Sequence, residues 1–329
     1  MTKIYSARRA FLLGAGATAL IAGLPRGTYA QGDTPPLNFG FQNTSWGTIG
    51  MVAESQDLFK KAGANVAIHK FDSGKTTRDA MIAGRIDIGV IGATPFIVGA
   101  AKGELTAIGV ALYGAKTQSI VAGGKSGLKN VADLKGRRVG TQLGSATDYV
   151  FQNKILPAFG LSKSDVQIVN VQFQNHLSAM VAGSVDAFAG VEPFPSIAQD
   201  EDLGRVLVDY RRFDLQPIIL AANRSVVENR RADVVAFMRG WTAGVMLCKE
   251  RRAQAVAIVY KHFKDQGFTV SEHAIGLMLT KLDINTEFIP ELGPYLTEQA
   301  QVLVEQKNID AVPDWSRILN PDLLQAAAS

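Results

Sequence analysis

The sequence predicts an α/β protein of two similar lobes, each a doubly wound sheet with flanking helices, facing each other across a cleft. Three observations carry this. Ala80-Met81-Ile82-Ala83-Gly84-Arg85-Ile86-Asp87 and Ala179-Met180-Val181-Ala182-Gly183-Ser184-Val185-Asp186 are near copies 99 residues apart. Matching blocks flank them in the same order: Gly40, Gln42 and Ser45 answer Gly140, Gln142 and Ser145 at an offset of 100, and Pro95-Phe96 answers Pro193-Phe194 at 98. Solenoid units run to about 50 residues, so a repeat of this length points to a duplicated lobe. Finally, short apolar runs alternate with helical patterns in each unit, the signature of parallel strands joined by helices.

Taken in order, residues 31–36 form a polar, proline-bearing tether. Residues 37–41 read as the first strand, 44–61 as a helix ended by Gly63, and 66–71 as a second strand. Residues 76–83 read as a helix and 86–91 as a third strand, whose continuous apolar run requires cover on both faces. In both copies of the repeat a glycine suited to the left-handed cap conformation ends the helix and an Asp opens the next strand. Another strand is expected at 105–113, and the stretch from Gly114-Ala115-Lys116-Thr117 to the glycine pair Gly123-Gly124 reads as the crossing into the second lobe. There the pattern restarts, with a strand at 138–141, a helix at 145–159, and strands at 166–171 and 187–191. Residues 206–209 and 218–223 read as strands returning to the first lobe. Amphipathic runs at 232–249, 252–263, 271–281 and 295–305 are expected to clad that lobe. The lobes are thus 31–119 plus 223–329, and 120–222.

A chain of 329 residues with 47% hydrophobic and 19% charged content folds into large cores and is not disordered. The net charge of +4 invites a nucleic-acid reading until the charges are located. Lys3, Arg8, Arg9 and Arg26 fall in residues 1–30, which hold no acid, so the remainder is neutral and has no electrostatic case for phosphate backbones. Arg8-Arg9, the apolar run to Leu24 and Thr28-Tyr29-Ala30 read as a secretory leader, and the twin arginine resembles an address for export of folded protein. A periplasmic protein starting near Gln31 is expected. Cys248 is the only cysteine, which excludes an intramolecular disulfide and a lipid-modified amino terminus.

In doubly wound sheets the ligand crevice lies at the carboxyl ends of the strands. Gln142, Gly144, Ser145, Ala146 and Thr147 place small residues and backbone donors at a helix start, which favours an anion. Gln42, Asn43, Thr44 and Ser45 offer the same, as do Ala93 and Thr94. Neutral donors suit an oxyanion that must later be released. Trp46 can stack on a ligand at the cleft mouth. Glu192, at a strand end, can neutralise a ligand cation or hydrogen-bond across the hinge; facing the cleft, it favours sulfonates with a polar tail over nitrate. His69, His176, His262 and His273 lack metal-ligand spacing, no Gly-x-Ser-x-Gly elbow exists, and no cofactor is expected.

The runs FDSGKTTRDAMIAGRIDIGVIGATPF and VQIVNVQFQNHLSAMVAGSVDAFAGVEPF resemble the periplasmic solute-binding proteins of ABC importers for taurine, aliphatic sulfonates and nitrate. The resemblance implies the two-lobed class II periplasmic-binding-protein fold with its ligand cleft between lobes, and a monomer without catalysis. It also implies delivery of a small organic anion, most directly an aliphatic sulfonate such as taurine, to a membrane permease and its ATPase. Nitrate and aromatic or other organic carboxylates are the alternative ligands. Pyrimidine-synthesis enzymes share the resemblance and form the alternative of another class, and the export signal argues against them.

Overall fold

The computed structural model describes residues 35–328; the expected leader lies outside them. The first alternating run is β1 (Leu37–Gln42), α1 (Thr48–Ser55), α2 (Leu58–Lys61), β2 (Val66–Phe71), α3 (Gly74–Ile82), β3 (Ile88–Gly92), α4 (Ala93–Ala101) and β4 (Leu105–Tyr113). The helix expected over 44–61 is broken. Ser45–Gly47 forms a 3₁₀ turn, and Asp57, at φ 52°, separates α1 from α2, because a left-handed residue cannot continue a right-handed helix.

The second run is β5 (Gln118–Gly123), β6 (Arg138–Thr141), α5 (Ala146–Val150), α6 (Leu156–Ala158), β7 (Gln167–Asn170), α7 (His176–Val181), β8 (Ala187–Val191), α8 (Phe194–Asp200), β9 (Gly204–Asp209) and β10 (Pro217–Asn223). A π-helical turn, Phe151–Ile155, joins α5 to α6 where one helix was expected. Pro157, just beyond it, has no N–H to carry the regular ladder.

Two five-stranded sheets result, ordered β2-β1-β3-β10-β4 and β7-β6-β8-β5-β9. Strands β1 to β3 and β6 to β8 pair in parallel as expected, but both sheets are mixed. β10 runs antiparallel between β3 and β4, and β5 antiparallel between β8 and β9. Within the expected crossing, residues 114–117 pass between the sheets and Gln118–Gly123 is already β5, a strand of the second sheet. β9 is an edge of the second sheet rather than a returning strand, and the return runs through residues 210–216.

The repeat is explained by the bonds it makes. Gly84 and Gly183 have φ of 68° and 71°, the left-handed region where a side chain is strained. Asp87 and Asp186 then perform one task twice. The Asp87 carboxylate accepts from the Asn38 N–H at 2.7 Å while the Asp87 N–H donates to the Asn38 carbonyl at 2.8 Å. Asp186 does the same to Arg138, at 2.9 and 2.8 Å. Each Asp thus pins the start of a central strand to its neighbour.

The remaining helices are α9 (Arg224–Asn229), α10 (Arg231–Glu250), α11 (Arg252–Asp265), α12 (Glu272–Thr280), α13 (Leu292–Glu305), α14 (Trp315–Ile318) and α15 (Asp322–Ala328). α10 covers the first sheet, with Phe237 stacked on Phe59 at 4.7 Å and edge-on to Phe39 at 5.0 Å. Not all of these helices clad that sheet alone, as had been expected. The apolar face of α12 (Ala274, Ile275, Met278, Leu279) joins the same core as Phe194 and Ile197 of α8. On the opposite flank, Tyr295 of α13 donates to Asp214 in the return segment at 2.7 Å, and Lys154 pairs with Asp214 at 2.9 Å.

Candidate functional site

The strand ends of the two sheets meet, and the expected residues gather at that seam. A Cβ placed on Gly92 would lie 2.7 Å from the Ala146 Cβ and 3.6 Å from the Trp46 ring. The Ser45 N–H donates to the Glu192 carbonyl at 2.8 Å. Trp46 Nε1 donates to Thr117 Oγ1 at 3.0 Å, tying the first turn to the crossing. Gln216 Nε2, from the return segment, donates to the Ala146 carbonyl at 3.0 Å. Turns after β1, β3, β6 and β8 are thereby held within one neighbourhood.

Within it, the side chains divide into those already used and those left unpaired. Gln42 Nε2 donates to Thr77 Oγ1 at 2.7 Å and to the Val90 carbonyl at 2.6 Å, locking the end of β1 to α3 and β3. Asn43 Oδ1 lies 3.0 Å from His262 Nε2. Gln142 Oε1 accepts from the Phe173 N–H at 3.3 Å. Ser145 Oγ accepts from the Asp148 N–H at 3.1 Å, an N-cap of α5, and the Gly144 N–H goes to the Asp148 carboxylate at 2.9 Å. Gly144 holds φ 78° to make that turn. The Gly144 N–H is therefore consumed in shaping the cradle, while the Ser145 hydroxyl accepts there and keeps its own proton to donate. Burial pushes the Asp148 carboxyl above the usual carboxylate range, against the opposing bonds from Gln152 and Gly144.

Six hydroxyls stand apart among the described residues: those of Thr48 and Thr141, next to these turns and not singled out by sequence, and four on the expected turns themselves. Thr44 Oγ1, Ser45 Oγ, Thr94 Oγ1 and Thr147 Oγ1 are buried without a hydrogen-bond partner, and their residues are 2%, 0%, 7% and 0% exposed. A buried unpaired hydroxyl costs about 1–3 kcal/mol, and four at one seam, contributed by both sheets, call for a common acceptor. Gln118 Oε1 and Gln216 Oε1, at the two crossings, are also unpartnered. Sequence reasoning missed both, since nothing in their local pattern separates them from ordinary strand-end glutamines. A cavity of about 60 Å³ beside Thr44 is walled by Phe71, Phe173, Phe194 and Phe268. Two larger hollows, of about 480 and 550 Å³, share no residue with these turns.

Glu192 is fully buried, and its carboxylate has partners. Oε1 meets Lys281 Nζ at 2.5 Å and Oε2 accepts from the Ser196 N–H at 3.1 Å. Lys281 Nζ also reaches Ser196 Oγ at 3.1 Å. Of the two roles the sequence allowed, the bond across to another segment is the one these contacts make. Lys281 follows Glu192 by 89 residues, a separation with no readable spacing.

The model of the NMT1-like family matches residues 30–260. A Bacillus subtilis protein named as aliphatic sulfonates-binding is 31% identical over 222 residues, 67% of this chain and 66% of its own length. The taurine-binding periplasmic protein of Escherichia coli is 30% identical over 163 residues, 48% of each chain. Among solved structures, the alkanesulfonate-binding protein SsuA of Xanthomonas axonopodis pv. citri bound to MOPS shares the fold with a TM-score of 0.78 at 21% identity, over 87% of this chain and 98% of that one.

Proposed function

The chain belongs to the NMT1-like family, and on that premise we infer that it is the solute-binding component of an ABC import system for a small organic sulfonate, without catalytic turnover. It captures the anion in the periplasm as a monomer and hands it to a membrane permease with its ATPase. The names of its relatives support the class of solute, and the leader-like amino terminus supports the compartment. The observation that carries the reading is the set of four unpaired hydroxyls on Thr44, Ser45, Thr94 and Thr147.

A sulfonate presents three acceptor oxygens and no donor, the complement of hydroxyls that can only gain by donating. Hydrogen bonds to a charged group are stronger than those between neutral groups, so the gain is largest for an anion. Ala93 and Thr94 open α4, where the helix dipole adds to it. Gln42, Asn43, Gln142, Gly144, Ser145 and Ala146 hold these donors in place, and Trp46 gives the tail an apolar wall. The two sheets with their helices act as lobes that close on the ligand, pivoting at residues 114–117 and 210–216. With the Glu192 carboxylate held by Lys281, an ammonium on the tail is not required, so plain alkanesulfonates are ligands alongside taurine.

Calorimetric titration with propane-1-sulfonate, taurine, nitrate and benzoate tests this. Saturable binding of sulfonates, with the ligand recovered unchanged, is expected. Binding of nitrate or benzoate alone, or conversion of a sulfonate to product, overturns it.

A further inference from the structure

We propose that Lys281 is a specificity-determining residue: by holding the Glu192 carboxylate it cancels a negative charge buried beside the cradle, and so sets how the site treats a cationic group on its ligand. This deepens the reading given under Proposed function and rests on it.

The placement is carried by backbone and side-chain contacts together. Glu192 donates its own N–H to the Thr117 carbonyl at 2.8 Å and accepts the Ser45 N–H at 2.8 Å. Its main chain is therefore one hydrogen bond from a cradle residue on one side and from the crossing on the other. Its side chain turns to Lys281 at 2.5 Å and Ser196 at 3.1 Å. Lys281 caps the carboxyl end of α12, and α12 is fixed at its other end too. There Ser271 Oγ donates to Asp200 at 2.5 Å and His273 Nδ1 lies 2.7 Å from the same carboxylate. With both ends of α12 fastened to α8, the ammonium of Lys281 is delivered to Glu192 rather than left to wander in solvent.

Nearby acids do not duplicate this arrangement. Both Asp148 oxygens are engaged, by the Gly144 N–H and by Gln152 Nε2. Asp72, at the edge of the small cavity, is solvent-exposed and its field is damped by water. What distinguishes Glu192 is its cation: Asp148 is held by neutral donors and is the same in every variant, whereas the Glu192 charge is answered by Lys281. The paired site is neutral toward the tail. Either charge left alone would bias it, in opposite directions.

Taurine and propane-1-sulfonate test this directly, since they differ by an ammonium in place of a methyl. Their affinities are measured by calorimetry for the wild-type chain, Lys281→Met, Glu192→Gln and the double variant. Lys281→Met is expected to move the affinity ratio toward taurine, and Glu192→Gln toward propane-1-sulfonate, each by on the order of tenfold. The double variant is expected to return to the wild-type ratio. A merely structural pair weakens both ligands by one factor and leaves the ratio fixed in every variant, and that result overturns the proposal. If Lys281→Met does not fold, Glu192→Gln preserves the side chain's shape and carries the same test, an unshifted ratio overturning it. A wild-type chain that binds neither sulfonate instead removes the reading on which the proposal stands.

Discussion

Ser45 and Glu192, 147 residues apart in sequence, are joined by a 2.8 Å hydrogen bond from the N–H of the first to the carbonyl of the second. The bond links the turn after β1 in one sheet to the turn after β8 in the other, so the two halves of the cradle touch through main chain as well as through any ligand.

The close approach at Gly92 sets the first prediction. An alanine there would put its Cβ 2.7 Å from that of Ala146, while the local φ of −71° tolerates a side chain. Overpacking costs about 1–3 kcal/mol. Gly92→Ala is therefore expected to wedge the sheets apart and weaken every ligand by a similar factor, roughly tenfold, with the melting temperature of the free protein little changed. Calorimetry over several sulfonates checks this, and ligand-dependent losses would count against a wedge.

Replacing the unpaired hydroxyls separates binding from stability. A hydrogen bond to a charged group contributes about 1.5–3 kcal/mol, so Thr94→Val and Thr147→Val should each raise the sulfonate Kd roughly 10- to 100-fold. Neither hydroxyl has an internal partner, so unfolding of the free protein should need no less denaturant. Thr77→Val makes the contrast. Its hydroxyl donates to the Ser73 carbonyl at 3.0 Å and accepts from Gln42 at 2.7 Å, and its loss should lower the denaturant midpoint.

Acid should destabilise the fold through two histidines. Burial holds His176 down at about 3, opposed by its bond to the Val171 carbonyl, and burial with the Lys70 charge holds His262 down at about 4. Both pKa values are depressed, so this stability is fully present above about pH 6.5 and is lost as pH falls toward those values. Each unit of pH in that window costs up to about 1.4 kcal/mol per fully shielded group, and less for the half-buried His262. Chemical denaturation at pH 7 and pH 5 should show the drop, and His176→Phe should flatten it.

Tyr295→Phe removes the donor to Asp214, whose side chain is wholly shielded from solvent. A loss of about 1–3 kcal/mol is expected, read as a lower denaturant midpoint. An unchanged midpoint would mean that Lys154 and the Gln216 N–H satisfy the carboxylate without it.

Much of this was legible in the chain because the repeat writes local chemistry twice. Gly84 and Gly183, Asp87 and Asp186, and the fully buried runs of β3 and β8 announce helix caps, strand starts and two-sided burial from residue type alone. The small residues of the turns were visible for the same reason. What sequence could not give is which donors are consumed. The Gly144 N–H looks as available as the Thr147 hydroxyl until the Asp148 carboxylate is seen to claim it. Pairings across long separations were equally silent. Neither the placing of β10 between β3 and β4 nor the meeting of Lys281 with Glu192 leaves any trace in periodicity, because each depends on how distant segments pack.

The strand order has a consequence for synthesis. β3 and β4 are not neighbours: β10 lies between them, hydrogen-bonded to both. A ribosome that has delivered the first 113 residues has made four strands of the first sheet but not the one that joins the edge strand to the rest. Until residues 217–223 emerge, a slot one strand wide stays open, flanked by two of the most apolar segments in the chain. The second sheet waits less: β5 joins β6 only through β8, but β8 is complete at residue 191, before β10 is made. Long-range pairing of this kind slows folding and exposes unpaired strand edges. The amino-terminal half should therefore emerge first and finish last, and it is in that interval that the nascent chain most needs a chaperone.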